Sequence, residues 1–339
     1  MGYKISLEDM DIALKELSKD YMLYAPKFFK GEARFSDVDR IRYGEIQKIE
    51  EIVFDQKSDY SFKEALTPIS ETLFYFTEDE VKEADKPAER LKRGAIIFLR
   101  SCDLHSLKRL DDIYLNNKYE DYYYKRLREN TKFILMGCES SFENCFCVSM
   151  GTNKIDSYDS YIKVQEDGVY IDNKCEGLEQ IFTTRDFETV EVLPDYVVEN
   201  DIKVNIPENL SLDVMDATMW KEYDERCIAC GRCNFVCPTC TCFTMQDIFY
   251  TDNGKVGERR RVWASCHVDG YTDMAGGHSY RKGNGQRMRF KTMHKVYDYK
   301  KRFGDHMCTG CGRCDDICPE YISFSNCINK LEDAMKEVE

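Results

Sequence analysis

The sequence predicts a two-domain protein: an α/β N-terminal domain with a parallel-sheet core over residues 1–215, then a mainly helical domain over residues 216–339. Two continuous apolar runs, residues 95–100 and 132–137, bracket an amphipathic segment. In the last third of the chain one cysteine spacing occurs twice, at Cys227, Cys230, Cys233, Cys237-Pro238 and at Cys308, Cys311, Cys314, Cys318-Pro319. With 339 residues the chain is long enough for two cores.

Taken in order, Leu7, Met10, Ile12, Leu14 and Leu17 fall near helical spacing behind a capping Ser6, so an amphipathic helix opens the chain over residues 7–19. A short strand is expected at residues 71–76. The runs at 95–100 and 132–137 have the pattern of strands covered on both faces. Between them, residues 103–114 have helical periodicity and begin with an aspartate, which makes a strand–helix–strand unit. Residues 161–171 alternate polar and apolar side chains about Asp167-Gly168, a hairpin signal. Residues 193–215 carry prolines and acids with little periodicity and are read as the connection between domains. A closing helix is expected at residues 325–336.

The repeated spacing is that of bacterial-type ferredoxins, in which three close thiolates and a distant fourth hold a 4Fe-4S cube. Two intervening residues let the chain curl so that successive sulfurs point inward, and the proline turns it away. In two-cluster ferredoxins the fourth cysteine of each string serves the other cluster. The expected ligands are therefore Cys227, Cys230, Cys233 and Cys318 for one 4Fe-4S cluster, and Cys308, Cys311, Cys314 and Cys237 for the other. The second domain is thus expected to be a ferredoxin-like dicluster domain with a long insertion. Paired cysteines also make structural zinc sites, and a zinc-stabilised scaffold without redox activity is the alternative of another class. Disulfides are the remaining use for 17 cysteines. Without an apolar leader at its start, the chain is expected to keep these thiols reduced in a cytoplasmic setting instead.

Four further cysteines suggest a third cluster. Cys102 and Cys138 follow the two apolar runs, where an open parallel sheet collects ligands beyond the carboxyl ends of its strands, and Cys145 and Cys147 come soon after. A helix beginning near Cys102 would favour an anion there. The plain alternative is that these cysteines are small buried apolar residues. Cys175 is expected in a loop without a role.

About 70 residues separate Cys237 from Cys308, well beyond an ordinary loop, so this insertion should have structure of its own. It carries Cys240, Cys242, Cys266, the basic run Arg259–Arg260–Arg261 and a Gly- and Arg-rich segment at 276–285. The cysteines are read as packing beside a cluster, since no fourth ligand completes a cube. The arginines are either a docking patch or a solvated face with internal salt bridges. His267, His278, His294 and His306 are read as structural, and the glycine segment as a tight loop that lacks the dinucleotide fingerprint.

A net charge of -14 argues against nucleic acid as partner. No stretch approaches the roughly 20 apolar residues of a membrane span. Protein partners remain.

Taken together, Ser101-Cys102-Asp103-Leu104-His105, the string from Cys145 to Thr152, Cys237-Pro238-Thr239-Cys240-Thr241-Cys242-Phe243, the segment from Trp263 to His267 and Met293-His294-Lys295 resemble the electron-transfer subunit of the anaerobic, NADH-dependent sulfite reductase. The beta subunits of sulfhydrogenase-type hydrogenases share much of this pattern and are the alternative. The resemblance implies a complex. In it a flavoprotein subunit with FAD and a 2Fe-2S centre oxidises NADH, this chain relays electrons, and a sirohaem subunit reduces sulfite to sulfide. The chain itself would be a non-catalytic electron-transfer component of that oxidoreductase.

Overall fold

The computed structural model describes residues 2–32, 37–83, 92–183 and 186–339. The chain forms two compact units. One consists of Met1–Thr67, Glu83–Phe142 and Asn153–Val198, the other of Pro68–Lys82, Glu143–Thr152 and Glu199–Glu339. The division expected after residue 215 thus lies after residue 198. Two earlier segments, one of them carrying Cys145 and Cys147, belong to the second unit.

The first unit is built on an eight-stranded mixed sheet in the order Glu188–Val190, Gly2–Ile5, Gly168–Asn173, Ser160–Gln165, Thr131–Met136, Gly94–Arg100, Tyr21–Phe29 and Arg40–Glu45. Tyr21–Phe29, Gly94–Arg100, Thr131–Met136 and Ser160–Gln165 pair in parallel, and the outer strands pair antiparallel. Apolar residues on both faces of the central strands explain their continuous hydrophobicity. Ile96, Phe98, Ile134 and Met136 pack with Met10, Leu14 and Leu17. Ile97, Leu99, Phe133 and Leu135 pack with Leu104, Leu107 and Leu110. Each of these two helices therefore covers one side of the sheet, as parallel strands require.

Local signals act as expected here. The opening helix is Leu7–Leu17, and the Ser6 hydroxyl accepts the Asp9 amide at 3.0 Å. The crossover helix is Ser101–Tyr114, starting directly after its strand. Ser160–Gln165 and Gly168–Asn173 form the hairpin.

The second unit holds the cysteine strings and an antiparallel ribbon, Phe243–Phe249 against Gly257–Trp263, with Ser70–Phe76 on its far side. The expected mainly helical domain thus contains a sheet that uses the early strand at 70–76. The insertion goes on through the short pair Asp273–Met274 and His278–Ser279, turned by Gly276 and Gly277 at positive φ, to the helix Asn284–Met293. A π-helical turn at His294–Asp298 leads into Tyr299–Phe303. The closing helix is two helices, Phe324–Asn329 and Leu331–Val338. Among the described residues no helix is long and apolar enough to cross a membrane.

At the end of strand Gly94–Arg100, Arg100 is only 3% exposed. Its guanidinium donates to the carbonyls of Gly137 at 2.8 Å, Phe54 at 2.6 Å and Gln56 at 3.2 Å. Replacing it by alanine leaves these acceptors unpaired, and Arg100→Ala is expected to destabilise the unit by about 1–3 kcal/mol. Urea unfolding and hydrogen exchange over residues 131–138 measure this, and an unchanged midpoint with unchanged exchange would contradict it.

Candidate iron–sulfur site

The two cysteine strings have the same backbone. Ala229 and Gly310 occupy equivalent positions with φ of 56° and 65°, and Gly231 and Gly312 follow with φ of 74° and 71°. Each of these glycines precedes a single helical turn, Arg232–Phe235 or Arg313–Asp316. The Ala229 amide is hydrogen-bonded to the Cys227 sulfur, and the Gly310 amide to the Cys308 sulfur. The left-handed positions reverse the chain within each string and direct amides at sulfur, an arrangement that favours an anionic sulfur.

Each string lines a cavity. Cys227, Cys230, Cys233 and Cys318 stand round one of them, with Met288, Lys291, Ile322 and Phe324 in its wall. Cys237, Cys308, Cys311 and Cys314 stand round the other, with Phe146, Lys291, Lys295 and Phe324. Cys314 also reaches the first cavity. Beneath both lies an apolar core in which Trp220, Tyr223, Met293, Val296 and Leu331 are buried and against which Cys227, Cys308, Cys314 and Cys318 pack. Burial pushes the Cys308 thiol up to about 12 and raises those of Cys227 and Cys314. Protonated thiols are therefore favoured while these cavities hold no cation, and a cation must displace the protons.

Sulfur donors in an apolar setting suit iron–sulfur chemistry. A tetrahedral zinc needs four donors within about 2.3 Å of one point. Among the described residues no group of three or more His, Cys, Asp and Glu side chains is disposed to hold a single metal ion.

The second string is braced by the segment that carries Cys145 and Cys147. The Phe146 amide donates to the Gly310 carbonyl at 2.8 Å, and the Thr152 hydroxyl to the Thr309 carbonyl at 2.7 Å. The Cys145 thiol lies 3.6 Å from the Cys311 carbonyl, and the Cys147 thiol 3.7 Å from the Asn200 side chain. Cys102 and Cys138 lie in the other unit. There Cys138 lines a cavity with Arg100, Phe142, Lys163 and Asp195 and accepts from Arg100 at 3.4 Å. Cys102 lies in the first turn of the crossover helix, where its carbonyl accepts the Ser106 hydroxyl.

The other cysteines and histidines have definite surroundings. A hydrogen bond to Cys237, helped by burial, pushes the Cys240 thiol well up. The Cys266 thiol and amide hydrogen-bond to Cys242, and with Tyr271 and Lys295 they bring its thiol down to about 6 against the effect of burial. Cys266 is buried and accepts from Asn234 at 3.1 Å. Cys175 lies just before the helix Glu176–Phe182 and accepts from Lys132 at 3.3 Å. His267 is buried with its Nδ1 4.0 Å from the Cys227 sulfur, and His306 meets the Val296 carbonyl at 2.9 Å. His294 faces Asp298, and His278 packs edge-on to Tyr280. The basic run is paired internally: Arg259 with Asp247, Arg260 with Glu258, and Arg261 with Glu71.

The sequence reading did not single out Lys291. Nor did it give a role to Lys295, which entered only as part of the resemblance. Both line a cysteine cavity. Their spacing of four, on a segment that also carries Met288, Met293 and Val296, is the one signal that could have marked them as facing inward.

Residues 226–322 match the 4Fe-4S dicluster domain family. Over 344 aligned residues, 92% of this chain and 97% of the relative, the chain is 28% identical to sulfhydrogenase 2 subunit beta of Pyrococcus furiosus. No solved structure matches. The chain is an iron–sulfur protein related to that hydrogenase subunit. The comparison therefore falls on the side of the alternative in the sequence reading, not on its sulfite reductase reading.

A Cβ at Gly312 would lie 2.2 Å from the Asn144 carbonyl oxygen, and the backbone there is left-handed. Gly312→Ala is expected to cost at least about 1–2 kcal/mol from the backbone alone. It should also accelerate hydrogen exchange at the Phe146 amide. Wild-type exchange over residues 143–152 would show that the two segments are not coupled in this way.

Proposed function

We propose that this chain is the electron-relay subunit of a multi-subunit oxidoreductase of the sulfhydrogenase type. In this reading Cys227, Cys230, Cys233 and Cys318 hold one 4Fe-4S cluster, and Cys308, Cys311, Cys314 and Cys237 the other. When bound, each cluster takes up and gives back one electron. The observation that carries the proposal is the pair of cavities, each walled by the first three sulfurs of one string and the last sulfur of the other, with Cys314 reaching both. The protein's part is to hold the sulfurs, to direct the Ala229 and Gly310 amides at them, and to exclude water with Met288, Ile322, Phe324 and Phe146.

The partners proposed are a flavoprotein subunit that takes electrons from NADH and a catalytic subunit that receives them. The relative's name favours a hydrogenase as that catalytic partner. The sulfite reductase reading, with a sirohaem partner, rests on the motif resemblance at Cys145 to Thr152 and Trp263 to His267. The complex purified from its own source without air decides between them. Hydrogen-dependent reduction supports the first. Sulfite-dependent NADH oxidation with a sirohaem absorbance supports the second.

Iron and acid-labile sulfide should come to about eight of each per chain, from four in each of two clusters. About twelve would support a third cluster. In that case Cys138→Ala should remove one EPR signal and leave the other two. A chain isolated with zinc, or without inorganic sulfide, would overturn the relay reading and favour a non-redox scaffold.

A further inference from the structure

We propose that Lys291 is a fixed cation shared by the two cysteine-lined cavities and raises the reduction potential of both clusters together. This rests on the relay reading above and adds to it a residue that sets how the relay is poised.

Three residues belong to the walls of both cavities: Lys291, Cys314 and Phe324. They form the partition between the two. Lys291 projects from the helix Asn284–Met293 and is 4% exposed, with its ammonium 4.6 Å over the Phe324 ring. A buried ammonium is costly unless a negative charge or hydrogen bonds compensate it. Among the described residues no carboxylate lies within ion-pair distance of it. Besides Arg232, His267 and Glu320 in the first cavity and Lys295 in the second, the ionisable groups that line its cavities are sulfurs, among them Cys233 in the first, Cys237 in the second and Cys314 in both. With the cluster ligands bound as thiolates, these sulfurs are the negative charge that compensates its burial. The ring completes the setting, since an ammonium over an aromatic face is attracted to it.

A positive charge in a low-dielectric partition stabilises an added electron on either side, because screening there is weak. The electron arrives at the cluster, and the lysine neither gains nor loses a proton. Lys295 is the internal control. It is 3% exposed and lines only the second of these cavities. Its ammonium donates to the Thr239 hydroxyl at 2.6 Å, and that hydroxyl lies 3.4 Å from the Cys237 sulfur. A role confined to filling space would require bulk from Lys291 and not charge.

The experiment is an EPR-monitored redox titration of the iron-loaded full chain as wild type, Lys291→Met, Lys291→Gln, Lys291→Arg and Lys295→Met, each with its iron content. Lys291→Met and Lys291→Gln should lower both midpoint potentials. Lys291→Arg should leave both near wild type, and Lys295→Met should lower one. Fully loaded neutral variants that titrate like wild type, or that shift only one midpoint, overturn the proposal. Should neither neutral variant load iron, loading by Lys291→Arg alone supports a required charge, and failure of Lys291→Arg as well overturns it. Wild type without iron and sulfide would defeat the relay reading itself and is seen before any variant is titrated.

Discussion

Gathering eight thiols, seven of them partly or fully buried, against one apolar core constrains the rest of the second unit. Burial pushes the Cys308 and Cys314 thiols up, so these thiols are neutral until something with positive charge replaces their protons. Once it does, anionic sulfurs sit over a core of Trp220, Tyr223, Met293 and Val296 that cannot solvate them. The compensation has to come from inside. The structure supplies it in two forms, amides of Ala229 and Gly310 directed at sulfur, and the ammonium groups of Lys291 and Lys295. In a chain with a net charge of -14, two lysines in one dry wall are best explained by what they face.

This explains which parts of the site were legible in the sequence. The cysteine strings were, because ligand spacing is a local property and occurs twice. The left-handed positions were partly legible as Gly231 and Gly312, one residue after the second cysteine of each string. Ala229 hides the same backbone behind an ordinary residue. The lysines were not read because their significance depends on the helix Asn284–Met293 facing inward, and lysine on a helix is ordinarily a solvated residue. Cys145 and Cys147 follow the central strand in sequence, which suggested a site at the strand ends. In the structure their segment belongs to the cluster-bearing unit and is joined to the second string by main-chain bonds, which no side-chain pattern reveals.

The α/β unit was more legible, and for a physical reason. Gly94–Arg100 and Thr131–Met136 are covered on both faces, so almost every residue must be apolar and the strand shows as a run. The edge strands do not carry that signal. Arg40–Glu45 is half polar, and its place beside Tyr21–Phe29 follows from pairing alone. The strand at Ser70–Phe76 was recognised as a strand, but its partner is Gly257–Trp263, far along the chain. An ion pair between these two strands, Arg261 with Glu71, helps hold the basic run in place. Those arginines are thereby less suited to a docking patch than their clustering in sequence suggests.

The two strings share a backbone but not their surroundings, and that difference bears on any relay built from them. Cys230 of the first is exposed, whereas Cys311 of the second is buried and the Cys145 segment braces its loop. Burial alone disfavours added negative charge and would set the second site lower in potential. Lys295 lines only the second cavity and acts in the opposite direction. Lys291 lines both and acts on both alike. The order of the two sites is therefore a balance between one site's deeper burial and its additional cation, with the shared lysine setting the common level from which each departs.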